Sequence, residues 1–153
     1  MTEIFIRHAL PEDAETLTKI ALAAKSHWGY PARWMEIWKE ELTYKSEYVA
    51  QSNIWAAVVD DRYVGLYTLR EKDGNAWLED LWVLPSQMGN GVGRALFDHA
   101  LNLSKQRGYH ILRLESDPNA IGFYQHMGMH QISERHSQVE DQPRVLPIME
   151  IAL

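Results

Sequence analysis

The sequence predicts a single α+β domain in which strands and helices alternate along the chain, in the manner of an α/β protein. Three observations carry this reading. At 153 residues the chain is long enough to bury most of one core without disulfides or metals to staple it. Its apolar residues switch several times between a period of two and a period of three to four. No repeat, low-complexity segment or linker divides it.

Residues 3–9, EIFIRHA, alternate Ile4 and Ile6 with Glu3, Phe5 and Arg7 and predict the first strand. Pro11 followed by Glu12 and Asp13 is a helix-start signal. Proline lacks only an N–H that would go unpaired there, and carboxylates favour the positive end of a helix. Ala14, Leu17, Ile20, Ala21 and Ala24 then share one face of a helix ending near Lys25. HWGYP interrupts it. A second helix is predicted over residues 31–46, with Trp34, Ile37, Trp38 and Leu42 on its core face.

Three strand-like runs follow, IWAAVVD, YVGLYTLRE and AWLEDLWVLP, separated by DDR and KDGN. Short polar turns of this kind suit hairpins, so the three strands are expected to be antiparallel neighbours. Beyond the glycine-rich loop, Val92, Leu96, His99, Ala100 and Leu103 define a helix closing near KQRGY, with Gly108 as its cap. HILRLES reads as a strand, and PNAIGFYQHMG as a short helix opened by Pro118 and ended by Gly128. MHQISER and VLPIMEIAL are the last two strands, around a polar connection over residues 137–144.

Composition excludes several classes of function. Cysteine is absent, which removes disulfides, thiolate metal sites and cysteine nucleophiles together. A net charge of -6 argues against a nucleic-acid partner and favours attraction of a cationic one. No apolar stretch approaches the roughly 20 residues of a membrane span, and no basic and apolar leader opens the sequence. A cytoplasmic protein without a membrane partner is expected. The seven histidines form no His-Glu-x-x-His or similar ligand pattern, so no metal is expected.

The stretch PSQMGNGVGRALF, residues 85–97, sets three glycines at alternate positions ahead of a helix. A P-loop needs Lys-Ser/Thr after its last glycine, and Arg94-Ala95 stands there instead. A dinucleotide fingerprint needs G-x-G-x-x-G after the first strand of a βαβ unit, whereas this spacing is G-x-G-x-G after a meander. Two readings remain: a turn with a close helix–strand contact, or a pyrophosphate cradle of backbone N–H groups at a helix N-terminus.

The succession of strand LEDLWVLP, loop SQMGNGVG, helix RALFDHALNLSKQRG, strand YHILRLES and helix PNAIGFYQHMGM resembles the central half of the GNAT superfamily of acetyl-CoA-dependent N-acetyltransferases. The resemblance implies the GNAT fold, a central mixed, mostly antiparallel sheet of about seven strands flanked by about four helices. Gly91 and Gly93 fit the glycines of the family pattern Gln/Arg-x-x-Gly-x-Gly/Ala, while Met88 falls at the Gln/Arg position and Gln87 lies one residue early. By resemblance, the N–H groups of Gly89, Asn90, Gly91, Val92, Gly93 and Arg94 bind the pyrophosphate of coenzyme A. The main chain of Leu81 and Val83 pairs with its pantetheine arm, and Pro85 ends that pairing. Asn119 is nominated as a further coenzyme contact; the family's own Asn position falls on Asp117.

Acetyl transfer needs a neutral amine, stabilisation of the oxyanion and an acid for the departing thiolate. Tyr124 matches the tyrosine that the family places near the coenzyme sulfur as general acid; without the surrounding motif it reads as a core aromatic. LEDLWV is similar to the Leu-Glu-Asp segment of spermidine/spermine N-acetyltransferases, which implies Glu79 as the base, directly or through water. Glu115 is the next candidate. Asp80 is nominated to hold the ammonium group of the acceptor, and Trp28 and Tyr30, beside His27, to line the acceptor pocket, since aromatic walls suit a cation. The expected function is acetyl transfer from acetyl-CoA to a primary amine of a small molecule by direct attack. The alternatives are a protein or peptide acceptor, or an acyl-CoA-binding module without turnover. A homodimer is also an expectation, because the last strands of this fold often pair or pack between subunits.

Overall fold

The chain packs as two compact units in a computed structural model that describes residues 3–153. One holds the residues up to Leu69 together with Asp80–His99; the other holds Arg70–Glu79 and Ala100–Leu153.

In the first unit, β1 (Phe5–His8) pairs antiparallel with β2 (Asn53–Val59), and β2 with β3 (Arg62–Lys72). Asp60 and Asp61 form the two-residue turn between β2 and β3, with φ of 50° and 63°. That is the left-handed pair that matches the twist of a tight hairpin. A single 3-10 turn at Pro11–Asp13 leads into α1 (Ala14–Ser26). All five of its expected core positions, Ala14, Leu17, Ile20, Ala21 and Ala24, are buried. Burial of each larger one, Leu17 and Ile20, stabilises the unit by about 1.5–3 kcal/mol.

The helix expected over residues 31–46 is broken. Only α2 (Ala32–Trp38) is helical within that range; turns as far as Leu42 and an extended stretch follow, and a separate helix, α3 (Ser46–Gln51), begins at its end. The break has a tertiary cause: the Tyr44 N–H donates to Thr18 Oγ1 of α1 at 2.8 Å, and the Tyr44 ring is buried. Helical geometry at residues 43–45 would withdraw both. Ile37, expected in the core, is 53% exposed, whereas Trp38 and Leu42 are buried.

The remaining strand of this unit is the end of β4 (Asn75–Val83), which lies beside β3. The unit also contains the start of α4 (Val92–Gln106), seated close on the sheet at Gly65. A Cβ there would stand 2.8 Å from the Trp82 carbonyl oxygen and 3.0 Å from Leu96 Cδ1. Gly65 is thus a position of close approach.

In the second unit, Asp73 and Gly74 (φ 53° and 80°) make the turn from β3 to β4. β4 pairs in parallel with β5 (Ile111–Glu115) at Ala76 and Trp77. β5 pairs antiparallel with β7 (Gln142–Ala152), and β7 with β6 (His130–Val139). A 3-10 turn at Pro118–Ala120 precedes α5 (Ile121–His126). The polar stretch 137–144 is strand rather than loop: β6 and β7 run through it to a two-residue turn at Glu140 and Asp141, φ 49° and 64°. Most of β6 is exposed, and its end nearest the turn carries no apolar alternation to announce it.

The strand order is β1-β2-β3-β4-β5-β7-β6. With one parallel pair, β4–β5, this is the mixed, mostly antiparallel seven-stranded sheet of the expected α+β class. Five helices stand where about four were expected, because α3, which shares only Ser46 with the predicted second helix, has no counterpart among the predicted elements.

Candidate active site

In the first unit, a 3-10 turn at Pro85–Gln87 closes β4 and feeds the glycine loop. The Gln87 N–H donates to the Leu84 carbonyl at 2.8 Å, and the Met88 N–H to that of Pro85 at 3.2 Å. Gly89 and Gly91 then take φ of 83° and 85°, values that cost an L side chain about 1–2 kcal/mol. The first bond into α4 runs from the Ala95 N–H to the Gly91 carbonyl at 3.0 Å. The N–H groups of Val92, Gly93 and Arg94 therefore have no carbonyl one turn back and are available to an anion.

Within the expected run of amides, Asn90 has partners in the loop itself. Its N–H donates to the Gln87 carbonyl at 3.3 Å, and its side-chain Nδ2 lies 3.4 Å from Gln87 Oε1. The candidate cradle is therefore Gly89 and Gly91 to Arg94. Space suits it, since a Cβ built at Gly89 or Gly91 would meet no atom within 4 Å. Unpaired amides, a helix N-terminus and open space fit a pyrophosphate. The Arg94 guanidinium turns along the helix toward Asp98, 4.0 Å away.

Asp80 to Val83 form the edge strand of this unit, with β3 on one side. Val83 is buried and Leu81 half-buried, which leaves their main chain as the part that an extended ligand can pair with. Asp80 is part-buried: its Oδ2 accepts from the Tyr44 hydroxyl at 2.8 Å and from Thr68 Oγ1 at 3.1 Å. Burial raises its pKa above the ordinary carboxylate value, and the two hydroxyl donors pull it part of the way back. Burial and the adjacent Asp80 charge push the Tyr44 phenol well above the usual range, so it is a permanent donor.

Tyr30 stacks on Trp34 (5.9 Å between centroids) and sets its edge to Trp38 (5.0 Å). Lys25 Nζ lies over both Tyr30 and Trp38, 5.0 and 4.5 Å from their centroids. The cation over Tyr30 is the chain's own Lys25. Trp28 is exposed, edge-on to His27 at 5.2 Å. A further polar pair, absent from the sequence reading, is the buried Tyr67 hydroxyl against His99 Nδ1 at 2.7 Å, where burial lowers the imidazole pKa. Nothing in the sequence announces a pair 32 residues apart.

In the second unit, the candidate carboxylates have arginine partners. Glu79 Oε1 pairs with Arg70 Nε at 3.0 Å. Glu115, the alternative base, is held in both oxygens by Arg135, at 2.8 and 2.7 Å. Asp117 caps the turn before α5: its Oδ1 accepts from both the Asn119 N–H and Asn119 Nδ2, each at 2.9 Å. The nominated coenzyme contact Asn119 thus turns its amide back to Asp117, because a carboxylate two residues upstream is the nearest strong acceptor. Tyr124 is buried on α5, edge-on to Phe123 at 5.1 Å, and its carbonyl accepts the Met129 N–H at 3.0 Å. Among the described residues, no group of three or more carboxylates and histidines could hold a metal ion, and no helix is long and apolar enough to cross a membrane.

The family model described as "Acetyltransferase (GNAT) family" matches residues 16–129, which contain the glycine loop and Tyr124. The peptidyl-lysine N-acetyltransferase YjaB of Salmonella typhimurium is 31% identical over 113 residues, 73% of this chain and 71% of that protein. Among solved structures, a GCN5-related N-acetyltransferase from Rhodopseudomonas palustris has a TM-score of 0.84 at 22% identity, covering 100% of this chain and 98% of that one. The PaiA N-acetyltransferase from Thermoplasma acidophilum, solved in complex with coenzyme A, has a TM-score of 0.77 at 22% identity over 99% of each chain. The two structures carry the fold and the family match carries the membership: the chain belongs to the GNAT family, and is an acetyl-CoA-dependent acetyltransferase.

Proposed function

We propose that this enzyme transfers acetyl from acetyl-CoA to the side-chain amine of a lysine in a protein or peptide, by direct attack of the amine on the thioester. The observation that carries the acceptor class is the 31% identity over 113 residues to a peptidyl-lysine N-acetyltransferase. The small-molecule acceptor expected from the acidic balance yields to this reading, since a net charge of -6 attracts a basic peptide as readily as a polyamine.

Acetyl-CoA supplies an activated acyl group. The amides of Gly89 and Gly91 to Arg94 hold its pyrophosphate, and the main chain of Leu81 and Val83 takes its pantetheine arm as an added strand. Tyr124 gives its phenolic proton to the departing thiolate. Family resemblance supports these roles, and the unpaired loop amides support the first of them independently.

Release of coenzyme thiol, measured over a panel of acceptors, tests the proposal. A lysine-containing peptide should give a higher kcat/KM than a polyamine or an amino sugar, and the same peptide with its amines blocked should give none. A polyamine or amino sugar preferred by about tenfold or more, equivalent to about 1.4 kcal/mol, would overturn the acceptor class.

A further inference from the structure

The helix that carries Tyr124 rests on β7 at both of its ends. Ahead of its start, the Ser116 N–H donates to the Pro147 carbonyl at 2.8 Å, and Asp117 Oδ2 pairs with Arg144 Nη2 at 3.7 Å. Asp117 Oδ1 accepts the two Asn119 donors that shape the turn into α5, so one carboxylate joins the strand to the helix. Past its end, Gly128 (φ 101°) packs close to β7, where a Cβ would stand 3.3 Å from Ile151 Cδ1. The Arg144 and Asp117 side chains are 11% and 12% exposed, against 52% and 33% for Arg135 and Glu115. Water screens the second pair and makes it weak, whereas an enclosed carboxylate that loses its cation is left uncompensated. The start of α5 therefore depends on a charge that β7 supplies.

We infer that Arg144 is a positioning residue for acetyl transfer: by holding Asp117 it sets the start of α5, and with it the direction of the Tyr124 phenol, which rests on the acid role proposed for Tyr124 and deepens it. Tyr124 is the fourth residue of a six-residue helix, about one turn beyond the 3-10 turn that Asp117 caps. A displaced start is thus passed on to the phenol. In the step, the neutral amine forms the N–C bond to the thioester carbonyl carbon, and the C–S bond breaks with its electron pair going to sulfur. The Tyr124 hydroxyl gives its proton to that sulfur, the nitrogen loses one proton to solvent, and the phenolate takes one back. Arg144 and Asp117 exchange no proton. Their contribution is geometric, and a misplacement of about 1 Å is enough to slow such a step by up to about 100-fold.

The test is a double-mutant cycle on kcat, with the coenzyme dissociation constant of each variant measured by calorimetry. Arg144→Met keeps an unbranched stem and removes the charge; it should lower kcat by about tenfold or more and change coenzyme affinity by less than about threefold. Adding Asp117→Asn removes the carboxylate left without its cation, and should recover kcat by about threefold or more. In Tyr124→Phe, Arg144→Met should cost less than about twofold, because a hydroxyl that is gone cannot be misplaced. Arg144→Lys keeps the charge and loses the planar fork; it should lower kcat by about threefold, and again add nothing in Tyr124→Phe, which carries the cycle if Arg144→Met does not fold. Equal losses with and without Tyr124→Phe would overturn the inference and reduce the ion pair to a matter of stability. Weakened coenzyme binding with kcat intact would overturn it too, and make Arg144 a coenzyme-binding residue. A Tyr124→Phe variant as fast as wild type would overturn the acid reading, and this inference with it.

Discussion

The Tyr44 hydroxyl donates to Oδ2 of Asp80 across 2.8 Å, joining a loop residue to a strand residue 36 positions away. The bond ties the break after α2 to β4, so one contact explains both a local departure from helix and the placement of a carboxylate. It also links stability to pH. Asp80 has a raised pKa in the folded chain, so its contribution is complete below the ordinary value of about 3.9 and is lost as pH rises through the folded value. Asp80→Asn does not titrate. Its stability relative to wild type should therefore improve as pH rises from about 4 toward 7, as read by urea unfolding at several pH values. A difference that stays flat with pH would contradict the burial argument.

The glycine loop is expected to act through its amides. Gly91 sits at φ 85°, where a β-branched side chain is strained by about 1–2 kcal/mol or more whatever space surrounds it. Gly91→Val should weaken coenzyme binding by about tenfold or more in calorimetry, equivalent to about 1.4 kcal/mol, and Met88→Ala should be nearly silent. An equal loss in both would replace the backbone account with a side-chain one.

Gly65 permits the seating of α4 on β3. A methyl group would meet the Trp82 carbonyl oxygen at 2.8 Å, Leu96 Cδ1 at 3.0 Å and Val92 Cγ1 at 3.2 Å. Backbone does not yield as a flexible side chain does, so Gly65→Ala should cost about 1–3 kcal/mol, visible as a lower Tm. An unchanged Tm would show that the helix shifts freely.

Tyr124 is buried on α5, and its proposed role depends on the hydroxyl rather than the ring. Tyr124→Phe keeps the packing and should reduce kcat by about 100-fold with coenzyme affinity intact. Unimpaired turnover would leave the residue a core aromatic.

Much of the fold was legible because local chemistry and tertiary structure agree. The five buried positions of α1 follow the helical period, and the hairpins at Asp60-Asp61 and Asp73-Gly74 follow short polar turns between alternating runs. Legibility fails where one level overrides another. The break at residues 39–45 is dictated by Thr18 and Asp80, which no local pattern contains. The strands around Glu140 and Asp141 bury Val139 but are otherwise polar, so they read as loop. In the site, the glycine loop was visible because its geometry is written in residue type. The arginine partners of Glu79 and Glu115 and the lysine over Tyr30 were not, because pairing is a property of distance.

Mass spectrometric sequencing of a peptide carrying one lysine, after incubation with acetyl-CoA and the enzyme, tests the central claim most directly. The account predicts one acetyl group on the lysine side chain, absent from the reaction without enzyme. An unmodified peptide, in a reaction where an added polyamine or amino sugar becomes acetylated instead, would contradict it.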